Sequence, residues 1–219
     1  MKIAVFDVCG TIYDANTTFD FLDYYFKDND KYNNFTKLRK VFLVKVSNYI
    51  FYKYFKKDIT RLIATSFLKN EPIEKVQKSA KQYVNNILSN KIKKQTINLM
   101  KTYKNKGFHI ILMSGSYNVL IEHIQAYFDT DDYFASKLEI KNSKYTGKYK
   151  YDQLLNKKDT LQEYYPNIDE LIVVSDNRTD YELMKFATKS YAICNKEKQK
   201  KFWETKKLSN NELLVLFNV

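Results

Sequence analysis

The hydrophobic positions along this 219-residue chain change rhythm twice. Lys2 to Phe6 is a short apolar run of strand type, closed by Asp7 and a Gly10-Thr11 turn. From residue 16 to about 106 the pattern is helical, with no convincing strand. Phe19, Leu22 and Phe26 recur at helical spacing, as do Leu38, Phe42, Val46 and Ile50. Glu71-Pro72 predicts a helix start, because proline suits the first helical turn. Asn90 is placed to cap a helix that runs to Gly107.

From Phe108 the rhythm becomes strand, loop, helix. Strands are predicted at 108–113, 132–136, 171–174 and 189–194, the last read as the final central strand. Ser114-Gly115-Ser116 turns the second of these into a helix through Ile121 and Tyr127. Residues 138–149 read as a hairpin with Thr146-Gly147 in or near its turn. A helix follows from about Lys157, and the loop 175–179 leads into another through Leu183. Strands alternating with helices predict an α/β fold with a Rossmann-like, doubly wound parallel sheet. The helical block after the first strand is then an insertion over the carboxyl ends of the strands, where such sheets bind ligands. The expected division is a core of residues 1–15 and 96–219 and an all-helical cap of residues 16–95, with no internal repeat and no low-complexity linker.

A formal charge of +12 invites a nucleic-acid partner, but only three of the 37 basic residues are arginine: Arg39, Arg61 and Arg178. Specific nucleic-acid readers lean on arginine for bidentate contacts, and the joint abundance of Asn, Ile, Tyr and Lys fits AT-rich codon usage. No nucleic-acid partner is expected. Residues 16–95 hold 17 Lys/Arg against 7 Asp/Glu, so about +10 of the charge lies in the helical block. Such a block attracts anionic substrates and can face an anionic membrane. No apolar run reaches about 18 residues, so no transmembrane segment is expected. The chain enters a strand at once without a basic leader or apolar h-region, which predicts no secretory signal. Cys9 and Cys194 make no metal spacing and no disulfide framework, so a reduced, cytoplasmic setting is expected. Cys194 reads as a buried, inert thiol. His109 and His123 match no motif and read as surface residues.

Asp7, Ser114, Asp176 and Asp180 all follow predicted strands, and Lys157 opens a helix. A carboxylate that attacks phosphorus needs a cation to neutralise the phosphoryl oxygens. It also needs hydroxyl and N–H groups to hold them, and an ammonium to offset its own charge. Magnesium takes hard oxygen ligands and keeps several waters, so Asp7, Asp176, a main-chain carbonyl near Cys9 and a phosphate oxygen would suffice.

Taken in order, Asp7-Val8-Cys9-Gly10-Thr11, Met113-Ser114-Gly115-Ser116, Tyr145-Thr146-Gly147, Lys157-Lys158-Asp159-Thr160-Leu161 and Ser175-Asp176-Asn177-Arg178-Thr179-Asp180 resemble the haloacid dehalogenase superfamily. More narrowly, they are similar to its phosphoserine-phosphatase-like branch with a helical C1-type cap. Each motif alone is weak; the ordered set covers nearly the whole chain and leaves only about the last 25 residues poorly matched. The resemblance implies a magnesium-dependent phosphohydrolase of a small phosphorylated metabolite, working through an aspartyl-phosphate on Asp7. By it, the Cys9 carbonyl and Asp176 join Asp7 in binding Mg2+. Thr11, Ser114 and the Gly115 N–H belong to the phosphate site, and Lys157 bridges nucleophile and phosphate. Asp180 orients a ligand or water from one layer further out. Lys157 is preferred over Lys158 because the family lysine usually precedes a buried helical leucine, here Leu161, by four residues.

Cys9 departs from the family pattern, which usually has a second aspartate there as general acid and base. A thiol with an ordinary pKa of about 8.5, facing a phosphate dianion, is a poor substitute. General acid–base catalysis is typically worth about 10²–10⁴-fold, whereas phosphate-monoester hydrolysis can be accelerated by up to ~10²¹. Hydrolysis that is slow, or confined to good leaving groups, is therefore expected. The alternative from another class is a catalytically weakened protein that binds a phosphorylated ligand for regulation. Phosphoserine-specific relatives carry a glutamate just after the first motif, where this chain has Tyr13-Asp14-Ala15-Asn16-Thr17-Thr18, which argues against phosphoserine. Arg39 is a candidate for a substrate anion, or part of a solvated helix face. Residues 41–55 are apolar and aromatic and precede Lys56-Lys57. They read first as a core helix of the cap with a basic exposed edge. A segment of this kind can also rest on an anionic bilayer, with a phospholipid-phosphate phosphatase at the membrane surface as a minor reading.

Overall fold

The computed structural model describes residues 1–206 and 212–217. β1 (Lys2–Phe6) is buried from Ile3 onward and stands in the middle of the sheet. The chain then leaves the sheet for five helices: α1 (Thr17–Tyr25), α2 (Asp30–Arg39), α3 (Phe42–Phe55), α4 (Ile59–Ser66) and α5 (Ile73–Asn86), followed by a 3-10 turn at Leu88–Lys91. α6 (Lys94–Asn105) brings it back to pack on the sheet. After it come β2 (His109–Tyr117), α7 (Asn118–Phe128), β3 (Asp132–Lys141), β4 (Lys144–Tyr151), α8 (Lys157–Tyr164) and β5 (Glu170–Ser175). The last elements are α9 (Tyr181–Phe186), β6 (Lys189–Cys194), α10 (Glu197–Glu204) and β7 (Glu212–Phe217).

Strand order is β4-β3-β2-β1-β5-β6-β7, parallel throughout except for the β3–β4 hairpin. β1 pairs with β2 on one side, Phe6 opposite Leu112, and with β5 on the other, Phe6 opposite Val174. The winding reverses at β1, and open sheets of this type bind ligands at that switch point. The ends of β1, β2 and β5 therefore deliver Asp7, Ser114 and Asp176 to one place.

Both faces of the sheet are covered, which is why its central strands are continuous apolar runs. Ala4, Phe6, Ile110, Leu112, Ile172 and Val174 share one buried cluster that continues into the helical insert through Phe21, Leu22, Leu68 and Tyr83. Ile3, Val5, Ile111, Met113, Leu171 and Val173 face the other way, onto Leu161, Leu183, Met184 and Trp203. The period-two alternation of the strands thus separates a face bearing the insert from a face bearing α8, α9 and α10.

The insert is also stitched to the sheet through the main chain. Asn70 N–H donates to the Tyr145 carbonyl at 2.8 Å, and Tyr145 N–H donates to the Glu71 carbonyl at 3.0 Å. Gly147 is explained by the same contact. Its φ is +77°, and a Cβ there would lie 2.9 Å from the Ser66 carbonyl oxygen. The expectation of Thr146-Gly147 in or near a turn is corrected accordingly: both lie inside β4, and the hairpin turns at Asn142-Ser143, whose φ values are +50° and +58°.

Three other expectations change. β3 is one strand from Asp132 to Lys141 that takes in the predicted 132–136 run and the first arm of the hairpin. Asn90 does not cap a helix; it sits in the 3-10 turn, its amide donates to the Asn86 carbonyl, and α6 starts at Lys94. Helix α3 is not a core helix: none of its residues is buried, and Phe42, Val46 and Ile50 lie on its exposed side. β7, parallel to β6, adds a strand in the tail that matched the motifs poorly.

Candidate active site

Asp7 leaves β1 with its N–H still donating to the Val174 carbonyl of β5 at 2.9 Å, so its backbone is fixed by the sheet. Its side chain is buried, and Lys157 Nζ, from the first turn of α8, lies 2.7 Å from Asp7 Oδ1. The same ammonium lies 2.6 Å from Asp180 Oδ2, which also accepts from Ser175 Oγ at 2.7 Å. Burial alone would drive Lys157 towards the neutral amine; Asp180 and Asp7 outweigh it and hold the lysine pKa above its ordinary value. Lys158, by contrast, points outward, its Nζ 5.5 Å from the centre of the Phe186 ring.

Thr11 joins the two strand ends. Its hydroxyl lies 3.1 Å from Asp176 Oδ1 and 3.4 Å from Asp7 Oδ2, and accepts from Asp176 N–H at 2.9 Å. Gly10, at φ +70°, permits this approach, since a Cβ there would overlap the Asp176 carboxylate. Burial pushes the Asp7 carboxyl up despite Lys157. Asp176 is pushed up to about 7, by burial first and then by the charge of Asp7. A buried and a half-buried carboxylate meeting on one hydroxyl carry more negative charge than their neighbours offset. An oxygen-rich site of this kind fits a hard divalent cation that keeps several waters. Among the described residues no three His, Cys, Asp or Glu side chains are placed to hold one metal ion by themselves. A cation at Asp7 and Asp176 would therefore take its other ligands from main-chain oxygen, water and substrate.

Cys9 is turned towards hydroxyls. Its Sγ lies 2.9 Å from Thr17 Oγ1 and 4.0 Å from Ser114 Oγ. Thr17 and Thr18 both donate to Ser116 Oγ, at 2.8 and 3.1 Å, and Ser116 N–H donates to Ser114 Oγ at 3.1 Å. The start of α1 and the end of β2 thus form one hydroxyl cluster around the thiol. Burial, then the charge of Asp7, raises the Cys9 pKa, so the sulfur stays protonated at neutral pH.

Several contributors were not legible in the sequence. Arg61 of α4 is buried; its Nη1 lies 2.8 Å from each carboxylate oxygen of Asp152, and its Nη2 donates to Ser136 Oγ at 2.9 Å and to the Gly115 carbonyl. Ser114-Gly115-Ser116, expected as a turn, lies inside β2 where its pairing to β3 shifts register, and the insert therefore grips the end of that strand. Lys93 Nζ donates to the Gly10 carbonyl and to Asn195 Oδ1, which secures the first loop from behind. The one available signal was scarcity, since Arg61 is one of three arginines in the chain. Of the other residues singled out, Arg39 is paired with Asp23 at 3.0 Å and stacked on Phe19 within the insert. His109 Nε2 lies 3.1 Å from the Tyr165 hydroxyl, and Cys194 is buried. A cavity of about 690 Å³ opens over Cys9, Gly10 and Asp176, with Asp14, Asn16, Asp20, Arg178 and Gln199 among its walls.

Known proteins resemble this chain in sequence and in fold. The chain is 30% identical over 137 residues to a phosphoserine phosphatase of Methanocaldococcus jannaschii, covering 60% of this chain and 62% of that protein. It is 29% identical over 107 residues to a phosphoserine phosphatase of Lactococcus lactis, covering 45% and 48%. The match thus spans less than two thirds of either relative. Among solved structures, a Bordetella pertussis protein of unknown function superposes with a TM-score of 0.75 at 12% identity, over 97% of each chain. A phospho-aspartyl intermediate analogue of phosphoserine phosphatase gives 0.64 at 21% identity, over 98% of this chain and 92% of that one. The haloacid dehalogenase-like hydrolase family matches residues 4–185, from β1 into α9 and so across every strand end that builds the site; the chain belongs to that family.

Proposed function

We propose that the protein is a magnesium-dependent phosphatase of a small phosphorylated metabolite, with Asp7 as nucleophile and residues 16–95 as the cap over the site. The observation that carries this reading is the Asp7–Lys157–Asp180 arrangement at the switch point, with Asp176 and Thr11 beside it. Asp7 attacks phosphorus and forms an aspartyl-phosphate. Lys157 offsets the charge of Asp7 and meets a phosphoryl oxygen, while Asp180 and Ser175 hold the ammonium in place. Ser114 and the Gly115 N–H receive the remaining phosphoryl oxygens, at the end of β2 braced by Arg61. Asp7, the Cys9 carbonyl and Asp176 would hold Mg2+, which when bound supplies positive charge to the phosphoryl group and an oriented hydration shell.

Cys9 sets the pace. Its protonated thiol can donate to a leaving oxygen, but the resulting thiolate is opposed by burial and by Asp7, and water activation at that position is weak. The relatives named phosphoserine phosphatase support a small phosphorylated substrate. The absence of a glutamate from residues 13–18, just after the first motif, argues for one other than phosphoserine. A panel of phosphorylated metabolites assayed with magnesium tests the reading, with beryllium fluoride trapping alongside. Absence of both turnover and magnesium-dependent trapping would sink it.

The protonated thiol also favours a second reading, a protein that binds a phosphorylated ligand without hydrolysing it. Ligand binding by the wild type, with no hydrolysis in either the wild type or Cys9→Asp, would select that reading.

A further inference from the structure

A surface helix of a folded domain normally turns its apolar stripe inward and a polar face outward; α3 is apolar on its outward side as well. The half-buried positions of its 14 residues are Val44, Asn48, Phe51 and Tyr52, which form the face toward the protein. Asn48 fixes that face, donating to Asp58 Oδ1 at 3.0 Å and accepting from Thr60 N–H at 3.1 Å. At about 100° per residue, Phe42, Leu43, Val46, Tyr49, Ile50, Lys53 and Tyr54 fall within an outward arc of roughly 140°. Phe42, Leu43 and Tyr54 are 75%, 72% and 72% exposed. Leu38 and Val41 are exposed just before the start of α3.

The charge around this crest has one sign. Residues 31–57 contain eight Lys/Arg and no Asp or Glu. Lys37, Arg39 and Lys40 lie before the helix, Lys45 and Lys53 on it, and Lys56 and Lys57 after it. A second copy of the chain is a poor occupant, because crest-to-crest docking would bring these cations together. An anionic interface suits both properties. Aromatic rings settle at headgroup depth, lysine stems lie along them while the ammonium stays in water, and each cation near the surface adds to the attraction.

We propose that α3 docks this protein on the surface of an anionic lipid bilayer, the aromatic crest in the interface and the flanking lysines among the headgroups. Docking is independent of hydrolysis. It orients the molecule all the same, because Phe55, Lys56 and Lys57 at the end of α3 share a cleft of about 430 Å³ with Leu154, Leu155 and Asn156, which lead to Lys157.

The test is flotation of the full chain with vesicles of phosphatidylcholine alone, or containing about 30% phosphatidylglycerol. Two variants are run beside it, Phe42→Ser/Tyr54→Ser and Lys45→Glu/Lys53→Glu/Lys57→Glu. Every altered side chain is exposed, so thermal unfolding and magnesium-dependent turnover should match the wild type and serve as the folding control. The wild type should prefer anionic over neutral vesicles by about tenfold or more, and each variant should lose about tenfold or more of that binding. No binding, equal binding to neutral vesicles, or undiminished binding by both variants would overturn the proposal. Self-association abolished by Phe42→Ser/Tyr54→Ser, without vesicle binding, would assign the crest to a second copy instead.

Discussion

Arg61 Nη1, on a helix of the insert, lies 2.8 Å from both carboxylate oxygens of Asp152, which sits just ahead of the Lys157 helix. The other end of the guanidinium holds Gly115 and Ser136. One side chain thus couples the insert, the end of β2 and the segment leading to Lys157. Arg61→Ala removes a buried fork and leaves the Gly115 carbonyl with fewer donors. The Asp152 side chain is 41% exposed and can rehydrate, so the loss should be about 2 kcal/mol rather than the ~3–5 kcal/mol of a fully buried pair. Urea unfolding measures it. Arg61→Lys restores the charge without the fork and should recover less than half.

Lys157 offers the opposite case, since it and both partners are almost wholly buried. Lys157→Met strands two carboxylates together and should cost about 3–5 kcal/mol at neutral pH. Turnover of the folded variant should fall by about 10²–10³-fold, as for other lost transition-state partners. Unfolding curves and steady-state kinetics on the same preparation separate the two effects.

The Asp176 carboxyl, pushed up to about 7 from its ordinary 3.8, gives the metal-free protein a definite pH signature. The folded state holds that proton more tightly than the unfolded chain does. Stability without metal should therefore fall as pH rises from about 4 to about 7, then level off. Magnesium needs the ionised form, so the rise in melting temperature on adding it should be small at pH 5 and full above about pH 8. Thermal unfolding with EDTA or with magnesium across that range provides the check.

If Cys9 stands at the leaving oxygen as proposed, hydrolysis should be sensitive to the leaving group. Aryl phosphates, whose leaving oxygen needs little protonation, should turn over much faster than alkyl phosphates. Cys9→Asp should raise alkyl-phosphate turnover by about 10²-fold or more and narrow the gap between the two classes. An unchanged gap would show that Cys9 does not stand at the leaving oxygen.

The parts of the molecule that were legible in sequence are those with one physical solution. Buried parallel strands must be continuous apolar runs, so Lys2–Phe6 and Lys189–Cys194 were visible with their bounds. The loops after them stood out because Asp7, Ser114 and Asp176 follow such runs in order. The period of α3 was legible and its orientation was not, because spacing defines a stripe without saying what covers it. Gly147 looked like a turn residue because an αL glycine in sequence does not reveal whether a turn or the Ser66 backbone requires it. Arg61 and Lys93 were hidden for a related reason: a lysine or arginine in a helical block is ordinarily solvated, and only the tertiary approach of Gly10 and Gly115 buries these two.

The central claim is that the phosphoryl group passes through Asp7. Its most direct test is rapid quenching of the wild type during turnover of a reactive aryl phosphate with magnesium, followed by peptide mass spectrometry. An acid-stable, base-labile phosphoryl group is expected on the peptide carrying Asp7, absent from Asp7→Asn, which should fold normally and lack turnover. Turnover at wild-type rate in Asp7→Asn, or hydrolysis with the phosphoryl group found on another residue, would contradict it.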